Sequence, residues 1–279
     1  MKNRFKLLGI VALCSAGAYA QVQRHIAWME GSFQTGYQVD RDIAKERLRQ
    51  WDGAVPDPKD TEKYLEYLSV VDAGGRGAEA EGKMKQFLAD NPKEKRAAFI
   101  LGVHYVRAKK LELAKFFFAQ LEKDPGFEWK SLLYNNLGMI VLGEKNRDLA
   151  IEYFEKATKA DPPSPAPFAN LGALYLESRS YADAEKAFRK ALDLDGEFED
   201  AALGLGVALE GQGKFEDAHK AYANFIDDNA RAISVLYNDS LLLGNRLGKR
   251  EEATQLMTRY IQLGGKESAK AHESLRKWR

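Results

Sequence analysis

Small and apolar residues recur along most of the chain at one spacing. Residues 170–195 hold two short amphipathic segments joined by a polar bend, a pattern that predicts a pair of helices. Gly172 and Phe188 mark the two segments, and equivalent residues recur in both directions at successive steps of 34 or 36 positions. These recurrences are Gly102 with Phe118, Gly138 with Phe154, and Gly206 with Tyr222. The chain is therefore predicted to be a tandem array of helix pairs.

The glycine and the aromatic residue of each pair have complementary roles. A glycine in the first helix lets the second helix approach closely, where a bulky side chain would push it away. The aromatic residue lies one turn beyond an alanine on the facing side of the second helix, so it is expected to fill the space between helices. Turn residues such as Gly211–Lys214 separate the helices, and Asp124-Pro125 ends a pair because proline cannot continue a helix.

This pattern resembles the tetratricopeptide repeat family over residues 61 to about 265. The resemblance implies an all-α fold, a right-handed superhelical solenoid of helix hairpins. Six repeats are expected, at about 61–94, 95–130, 131–164, 165–198, 199–233 and 234–265. The outer two depart from the family pattern, because Tyr67-Leu68 and Ser240-Leu241 stand where the others have a leucine followed by glycine.

An array of this kind needs caps at both ends. Residues 39–53 are predicted to be a helix within an N-terminal segment, 21–60, with Ile43, Leu48 and Trp51 packing on the first repeat. Residues 266–279 are predicted to be a C-terminal capping helix. Residues 21–38 are either a frayed end or a strip that docks on a partner or folds back over the array. That strip would use Trp28, Met29, Phe33 and Tyr37.

The family resemblance also implies a binding site, because first helices line a concave groove in which partners lie. The implied groove residues are Phe99, Val103, Arg107, Leu132, Asn135, Asn136, Met139, Asn170, Ala173, Leu176, Leu203, Val207, Glu210, Asn238 and Leu242. Asparagine amides both donate and accept hydrogen bonds, which suits holding a peptide backbone. The lysine and arginine set of carboxylate clamps is missing there, so an internal segment or an apolar helix is the expected ligand. The alternative is that a neighbouring helix or the N-terminal strip buries some of these positions.

The N-terminus has the pattern of a bacterial secretory signal. Lys2, Arg4 and Lys6 precede an apolar stretch too short to span a bilayer, and Ala18-Tyr19-Ala20 suits cleavage before Gln21. Residues 1–20 are therefore predicted to be removed, leaving a periplasmic chain that does not insert into the membrane.

Cys14 leaves an alternative open. If it were lipidated, the protein would be anchored to the outer membrane as a lipoprotein similar to a pilotin, which aids assembly of an outer-membrane complex. Leu13 argues against this, because a lipobox needs Gly, Ala or Ser before the cysteine. Cleavage after Ala20 would leave no cysteine and therefore no disulfide.

The charge balance and the search for reactive residues reduce the number of function classes that the sequence allows. The 279 residues carry 42 basic and 41 acidic side chains, and this balance lacks the excess of basic residues that is typical of nucleic-acid binding. Four histidines stand apart from one another, and His104 and His219 are interpreted as packing or surface residues. Residues 74–77 are interpreted as a turn and not a phosphate loop, and the carboxylates are expected on solvated helix faces.

We therefore expect no catalytic residue, no metal and no cofactor; an enzyme would need a cofactor or a pocket that the sequence does not indicate. The predicted function is that of a non-catalytic periplasmic scaffold or adaptor. It is expected to bind a peptide segment or helix of an envelope protein within a secretion, pilus, gliding-motility or wall-synthesis assembly. The sequence predicts neither the partner's identity nor an oligomeric state.

Overall fold

The computed structural model describes residues 41–51, 54–160, 163–265 and 268–278. The predicted signal peptide, Cys14 and residues 21–38 lie outside the described residues. Within the described ranges the fold is all-α, as predicted, with 14 α-helices and no strand. The helices are α1 Arg41–Trp51, α2 Thr61–Ala73, α3 Gly77–Asp90, α4 Lys95–Arg107, α5 Leu111–Lys123, α6 Lys130–Gly143, α7 Arg147–Lys159, α8 Pro165–Glu177, α9 Tyr181–Leu194, α10 Glu199–Gly211, α11 Phe215–Asp228, α12 Ile233–Leu242, α13 Arg250–Gln262 and α14 Ser268–Trp278.

From α2 to α13 the helices pack in successive pairs. The turn inside each pair contains one residue with a left-handed backbone, which reverses the chain after the first helix. These residues are Gly75, Lys109, Lys145, Arg179, Gly213 and Gly248. They recur at the 34- to 36-residue spacing of the sequence pattern, and the step from Lys109 to Lys145 is the one of 36 residues. The turn predicted at residues 74–77 lies between α2 and α3, and α3 begins at Gly77.

The close approach predicted at the glycines is present in the structure. A Cβ atom added to Gly138 would lie 2.6 Å from the ring of Phe154, and one added to Gly206 would lie 2.0 Å from the ring of Tyr222. The same holds for Gly102 against Phe118 and for Gly172 against Phe188. All four aromatic side chains are buried. Because the rings occupy the space that a Cβ would need, any larger residue at these glycines would separate the paired helices.

The chain divides into two compact units between Ser164 and Pro165. In the N-terminal unit, α1 covers the first helix pair. The ring of Trp51 lies 5.4 Å from that of Tyr67, and Leu48 lies where a side chain on Gly74 would be. Both Trp51 and Leu48 pack against the hydrophobic core of this unit. Helix α1 therefore packs on the first helix pair of this unit.

In the C-terminal unit, α12 continues as a π-helical turn, Leu243–Leu247, before α13. The indole of Trp278, on α14, packs directly against Gly244 in this turn. A Cβ atom added to Gly244 would lie 2.2 Å from the nearest atom of that ring. The Trp278 Nε1 group donates a hydrogen bond to Asn245 Oδ1 at 3.0 Å. Trp278 is 6% exposed, so α14 is held to the last helix pair by one buried aromatic anchor.

Candidate functional site

The groove residues predicted in the N-terminal unit lie on α4 and α6. Phe99 is a core residue, with its ring 5.6 Å from that of Phe118 and 5.7 Å from that of Phe127. Arg107 donates from Nη1 to Asp72 Oδ2 at 2.7 Å, so part of its guanidinium already serves an ion pair within the chain. Arg107 and Leu132 retain partial exposure, whereas the others are buried. These buried residues are Phe99, Val103, Asn135, Asn136 and Met139.

The groove residues predicted in the C-terminal unit lie on α8, α10 and α12, and all of them are buried. They are Asn170, Ala173, Leu176, Leu203, Val207, Glu210, Asn238 and Leu242. Two of them make identified hydrogen bonds. Glu210 Oε1 accepts from the Tyr222 hydroxyl at 3.2 Å, and Asn238 Nδ2 donates to the Ser234 carbonyl at 2.7 Å. The side chain of Glu210 therefore contributes to the packing of α10 against α11.

Burial limits what these residues can do in the isolated chain. Asn136 is 0% exposed and Asn170 is 2% exposed, so a partner reaches their amides only by displacing the atoms that cover them. The prediction that they bind a partner is not tested by this finding and stays a prediction. The burial does match the alternative considered from the sequence, that some of the implied groove positions are covered.

His104 is the buried centre of an ionic cluster that links α2, α3 and α4 and reaches the surface at Lys85 and Lys110. Its Nδ1 atom lies 2.7 Å from Asp72 Oδ1, and its Nε2 atom lies 3.3 Å from Glu81 Oε2. Glu81 also accepts from Lys85 at 2.7 Å and from Lys110 at 3.0 Å. The ring therefore has a carboxylate at each nitrogen, an arrangement that favours the doubly protonated imidazolium.

The pKa values in this cluster follow from its contacts. The hydrogen bond to Asp72 raises the pKa of His104 above its usual value, and the charge of Asp72 adds to the increase. Burial acts in the opposite direction and is outweighed. Burial works to raise the pKa of Asp72, but the His104 hydrogen bond and the Arg107 charge outweigh it, so the pKa of Asp72 is lowered. Hydrogen bonds from Lys85 and Lys110 lower the pKa of Glu81 to about 2. The cluster is therefore built from charged groups that stabilise one another.

A second histidine–aspartate pair links α11 and α12 in the C-terminal unit. His219 Nδ1 lies 2.8 Å from Asp239 Oδ1, and the Asp239 side chain is 1% exposed. Asp239 Oδ2 has no hydrogen-bond partner in the part of the chain that the structure describes. Burial raises the pKa of Asp239 to about 6, against the lowering effect of His219, and the charge of Glu252 adds to the increase.

These two pairs correct the expectation that the carboxylates lie on solvated faces. Asp72 and Asp239 are both buried, and each takes a histidine from an adjacent helix pair as its partner. The interpretation of His104 and His219 as packing or surface residues omitted these carboxylates. The partners are 32 and 20 residues apart along the chain, so no short motif indicates either pair.

Two further features of the described residues bear on function. Among the described residues, no group of three or more histidine, cysteine, aspartate or glutamate side chains is placed to hold a metal ion. None of the helices that the structure describes combines the length and the apolar character needed to cross a membrane.

Three family models match the chain, each described as tetratricopeptide repeat, at residues 71–126, 132–164 and 175–232. Together these ranges cover slightly more than half of the chain. A comparison with curated proteins finds no match.

Solved structures share the fold at low sequence identity. PilW, a type IV pilus biogenesis factor, is 21% identical with a TM-score of 0.55, and the match covers 76% of this chain and 95% of PilW. YrrB, described as a TPR protein with an unusual peptide-binding site, is 18% identical with a TM-score of 0.52 over 68% of this chain and 96% of YrrB. PilF of Pseudomonas aeruginosa is 20% identical with a TM-score of 0.52, over 66% of this chain and 88% of PilF.

Proposed function

Because this chain is a protein built from tetratricopeptide repeats, we propose that it is a non-catalytic scaffold that binds a segment of a partner protein. The observation that carries the proposal is the succession of helix pairs joined by glycine–aromatic contacts. Repeat folds of this type present extended surfaces on which partners bind through many weak contacts and a few anchors. An extended peptide or a helix is the ligand best suited to such a surface.

The proposed partner-contacting residues are those on the first helices, with the asparagine amides as the polar anchors. Asn135 and Asn136 lie on α6 together with Met139, and Asn170 lies on α8 together with Leu176. A peptide backbone offers the donors and acceptors that an amide needs. Since these side chains are buried, binding there includes displacement of whatever covers them, and removal of residues 21–38 tests whether that segment competes with the partner.

We further propose export to a periplasm by cleavage after Ala20 and a role in a cell-envelope assembly. The basic, apolar and small-residue regions of residues 1–20 support the export, and the fold that the chain shares with PilW, a pilus biogenesis factor, is compatible with an envelope role. The proposal includes no nucleic-acid partner. A second candidate is an outer-membrane lipoprotein lipidated at Cys14, similar to a pilotin. Incorporation of labelled palmitate that is lost in Cys14→Ser would favour this second candidate.

A crosslinked pull-down from envelope extract tests the scaffold proposal. Tagged residues 21–279 are compared with the Asn136→Ala/Asn170→Ala variant, after circular dichroism and thermal melting show that both are folded. Asn229→Ala serves as the control, because Asn229 caps the end of α11 by donating to the Phe225 carbonyl. One defined envelope protein is expected with the wild type and the control and not with the double variant.

The other outcomes are also informative. Equal capture by all three proteins would move the binding surface away from the asparagines while leaving the scaffold role in place. The absence of any specific capture by the wild type would contradict the scaffold role itself.

A further inference from the structure

A surface cavity of about 590 Å³ lies in the N-terminal unit, at the end of the pair formed by α6 and α7. Its wall includes the loop that joins α5 to α6, the start of α6 and the end of α7. The lining includes Phe127, Glu128, Lys130, Tyr134, Lys156 and Lys159. None of these residues belongs to the groove predicted from the sequence, so the cavity is a separate surface.

Tyr134 and Lys156 line this cavity, and each contacts the neighbouring Tyr153. The rings of Tyr134 and Tyr153 are stacked, with their centroids 6.4 Å apart. The Lys156 ammonium lies 4.9 Å from the Tyr153 centroid and 5.9 Å from that of Tyr134. Lys156 makes no ion pair with any residue that the structure describes, so the rings hold its charge at the cavity wall and leave its N–H groups available to an anion.

Lys130 supplies a second ammonium that is fixed in place. It donates to the carbonyl oxygens of Leu121 and Glu122, both at 2.8 Å, at the end of α5. An ammonium has three N–H donors, so one remains for a ligand in the cavity. Burial lowers the pKa of Lys130 against the opposing charges of Asp124 and Glu122, and an anion in the cavity would offset that loss of solvation.

A second cavity of about 380 Å³ shares the wall Gly126–Glu128 with the first. Among the described residues, the two linings contain six basic side chains and two acidic ones. The basic residues are Lys93, Lys95, Arg96, Lys130, Lys156 and Lys159, and the acidic ones are Glu94 and Glu128.

Some of these basic residues already have partners in the chain. Lys95 pairs with Asp124, Arg96 pairs with Glu94, and Lys159 lies 3.7 Å from Glu155. Lys93, Lys130 and Lys156 make no ion pair with a described residue, so the positive excess remains after these pairs are formed. Lysines near helix ends also interact with the helix dipole, as Lys130 does with the last carbonyls of α5. Lys156 and Lys159 also lie in the last turn of α7, where the helix dipole favours a cation, whereas Lys93 precedes α4 and has no such role.

From this arrangement we propose that the two adjoining cavities bind an acidic segment of a partner protein. Carboxylates of the segment pair with Lys93, Lys130 and Lys156, and an apolar or aromatic side chain of the segment packs on Tyr134. The proposal rests on the scaffold function proposed above. It adds to that function the acidic character of the ligand and a binding surface that does not include the asparagines of the first helices. A segment that runs across both cavities can meet several cations at once, which a single small anion cannot do.

Fluorescence anisotropy with a synthetic peptide tests the proposal on the mature chain, residues 21–279. The probe is a short labelled peptide rich in Asp and Glu with one Phe, and its control is the same peptide with Asn and Gln in place of the acids. The wild type is expected to bind only the acidic peptide, with an affinity that falls as salt is added. Lys156→Glu and Lys93→Glu are each expected to weaken binding by about tenfold or more.

Lys186→Glu is the matched control, since it makes the same change of charge at an exposed position of α9 in the other unit. Unchanged binding in this control together with loss in the two cavity variants supports the proposal. Equal weakening in all three variants, or no binding of the acidic peptide to the wild type, overturns it. Displacement of the peptide by inorganic phosphate at comparable concentration would show a site for small anions and also overturns it.

The pull-down separates this inference from the scaffold function. If a partner is captured equally by the wild type, Lys156→Glu and Lys93→Glu, the scaffold role stands and the acidic-segment proposal fails. If the acidic peptide binds at the cavities but no partner is captured from the extract, the scaffold role fails on its own.

Discussion

The two histidine–aspartate pairs are alike in geometry and opposite in electrostatics. In each pair a histidine Nδ1 lies within 2.8 Å of a buried aspartate, and each pair joins adjacent helix pairs of one unit. Yet the pKa of Asp72 is lowered, whereas that of Asp239 is raised to about 6. The hydrogen bond to histidine alone therefore does not decide the charge state of the carboxylate.

The second carboxylate oxygen accounts for the difference. Asp72 Oδ2 accepts from Arg107 at 2.7 Å, so the buried charge is compensated at both oxygens. Asp239 Oδ2 has no partner among the described residues, and Glu252 adds a like charge nearby. Burial disfavours a charged carboxylate unless cations and donors outweigh the lost solvation. Asp72 is thus a charged carboxylate held by two cationic side chains, whereas Asp239 is a buried carboxyl group with a pKa of about 6.

The largest expected effect comes from removing the charge of Asp72. Asp72→Asn leaves His104 and Arg107 without their shared anion, so the free energy of unfolding at pH 7 is expected to fall by roughly 3–4 kcal/mol. Urea unfolding followed by circular dichroism measures it. Asp239→Asn is the matched variant and is expected to be neutral or stabilising at this pH, since it removes a charge that burial disfavours. Equal losses in the two variants would show that the pairs are equivalent.

A pH series sharpens the comparison at Asp239. The folded chain binds the Asp239 proton more tightly than the unfolded chain, in which an aspartate carboxyl has its ordinary pKa of 3.8. This group's contribution to stability therefore falls as the pH rises from about 4 to about 6 and is constant above that range. Relative to the wild type, Asp239→Asn is expected to gain roughly 2–3 kcal/mol between pH 4 and pH 7.

Unfolding free energies at several pH values in this range provide the measurement. Asp72→Asn is expected to show the opposite sign only when the series is extended below this range, because the stabilisation from a carboxyl with a lowered pKa is complete above the ordinary value of 3.8 and is lost as the pH falls through its folded pKa. A difference between wild type and Asp239→Asn that does not vary with pH would contradict the assignment of a raised pKa to Asp239.

Removing Arg107 should make the first pair resemble the second. Arg107→Gln takes away the cation at Asp72 Oδ2, so the pKa of Asp72 is expected to rise and the stability at pH 7 to fall by roughly 1–2 kcal/mol. Carbon-13 NMR of the Asp72 carboxyl as a function of pH reports the shift directly. Arg76→Gln is the control, because Arg76 pairs with Glu79 on the surface and should leave the titration of Asp72 in place.

The smallest expected effect concerns His104. The pKa of His104 is raised, so its contribution to stability is fully present below the ordinary histidine value of 6.5 and is lost as the pH rises through the folded value. The difference in stability between the wild type and His104→Gln should therefore be larger at pH 6 than at pH 9. Proton NMR of the His104 ring should show a titration above pH 6.5. His272→Gln, at an exposed position on α14, should not alter that titration.

Much of the fold could be predicted from local spacing. The positions of Gly138 and Phe154, and of their counterparts, predicted both the helix pairs and the close contact between them, because a repeated unit buries the same face each time. Trp51 and Trp278 lie in segments predicted to be terminal helices, and both are held by aromatic or glycine contacts. The predicted partner-binding residues were placed on the first helices by family resemblance, and the structure places most of them in buried positions.

What the sequence could not supply is the electrostatic environment. Asp72, Arg107 and Glu81 look like ordinary charged helix residues, and only their placement around His104 makes them a cluster. The cavity beside Tyr134 likewise combines a loop, the start of one helix and the end of another. No local pattern links such distant positions.

The sequence by itself determined the repeating helix pair, because the period of apolar and small residues fixes which faces must be buried and how closely they approach. The tertiary structure decided which carboxylates are charged, which asparagines are covered and where cations gather. Those properties depend on desolvation and on distances of a few ångströms between residues far apart along the chain, and such distances exist only after the helices have packed.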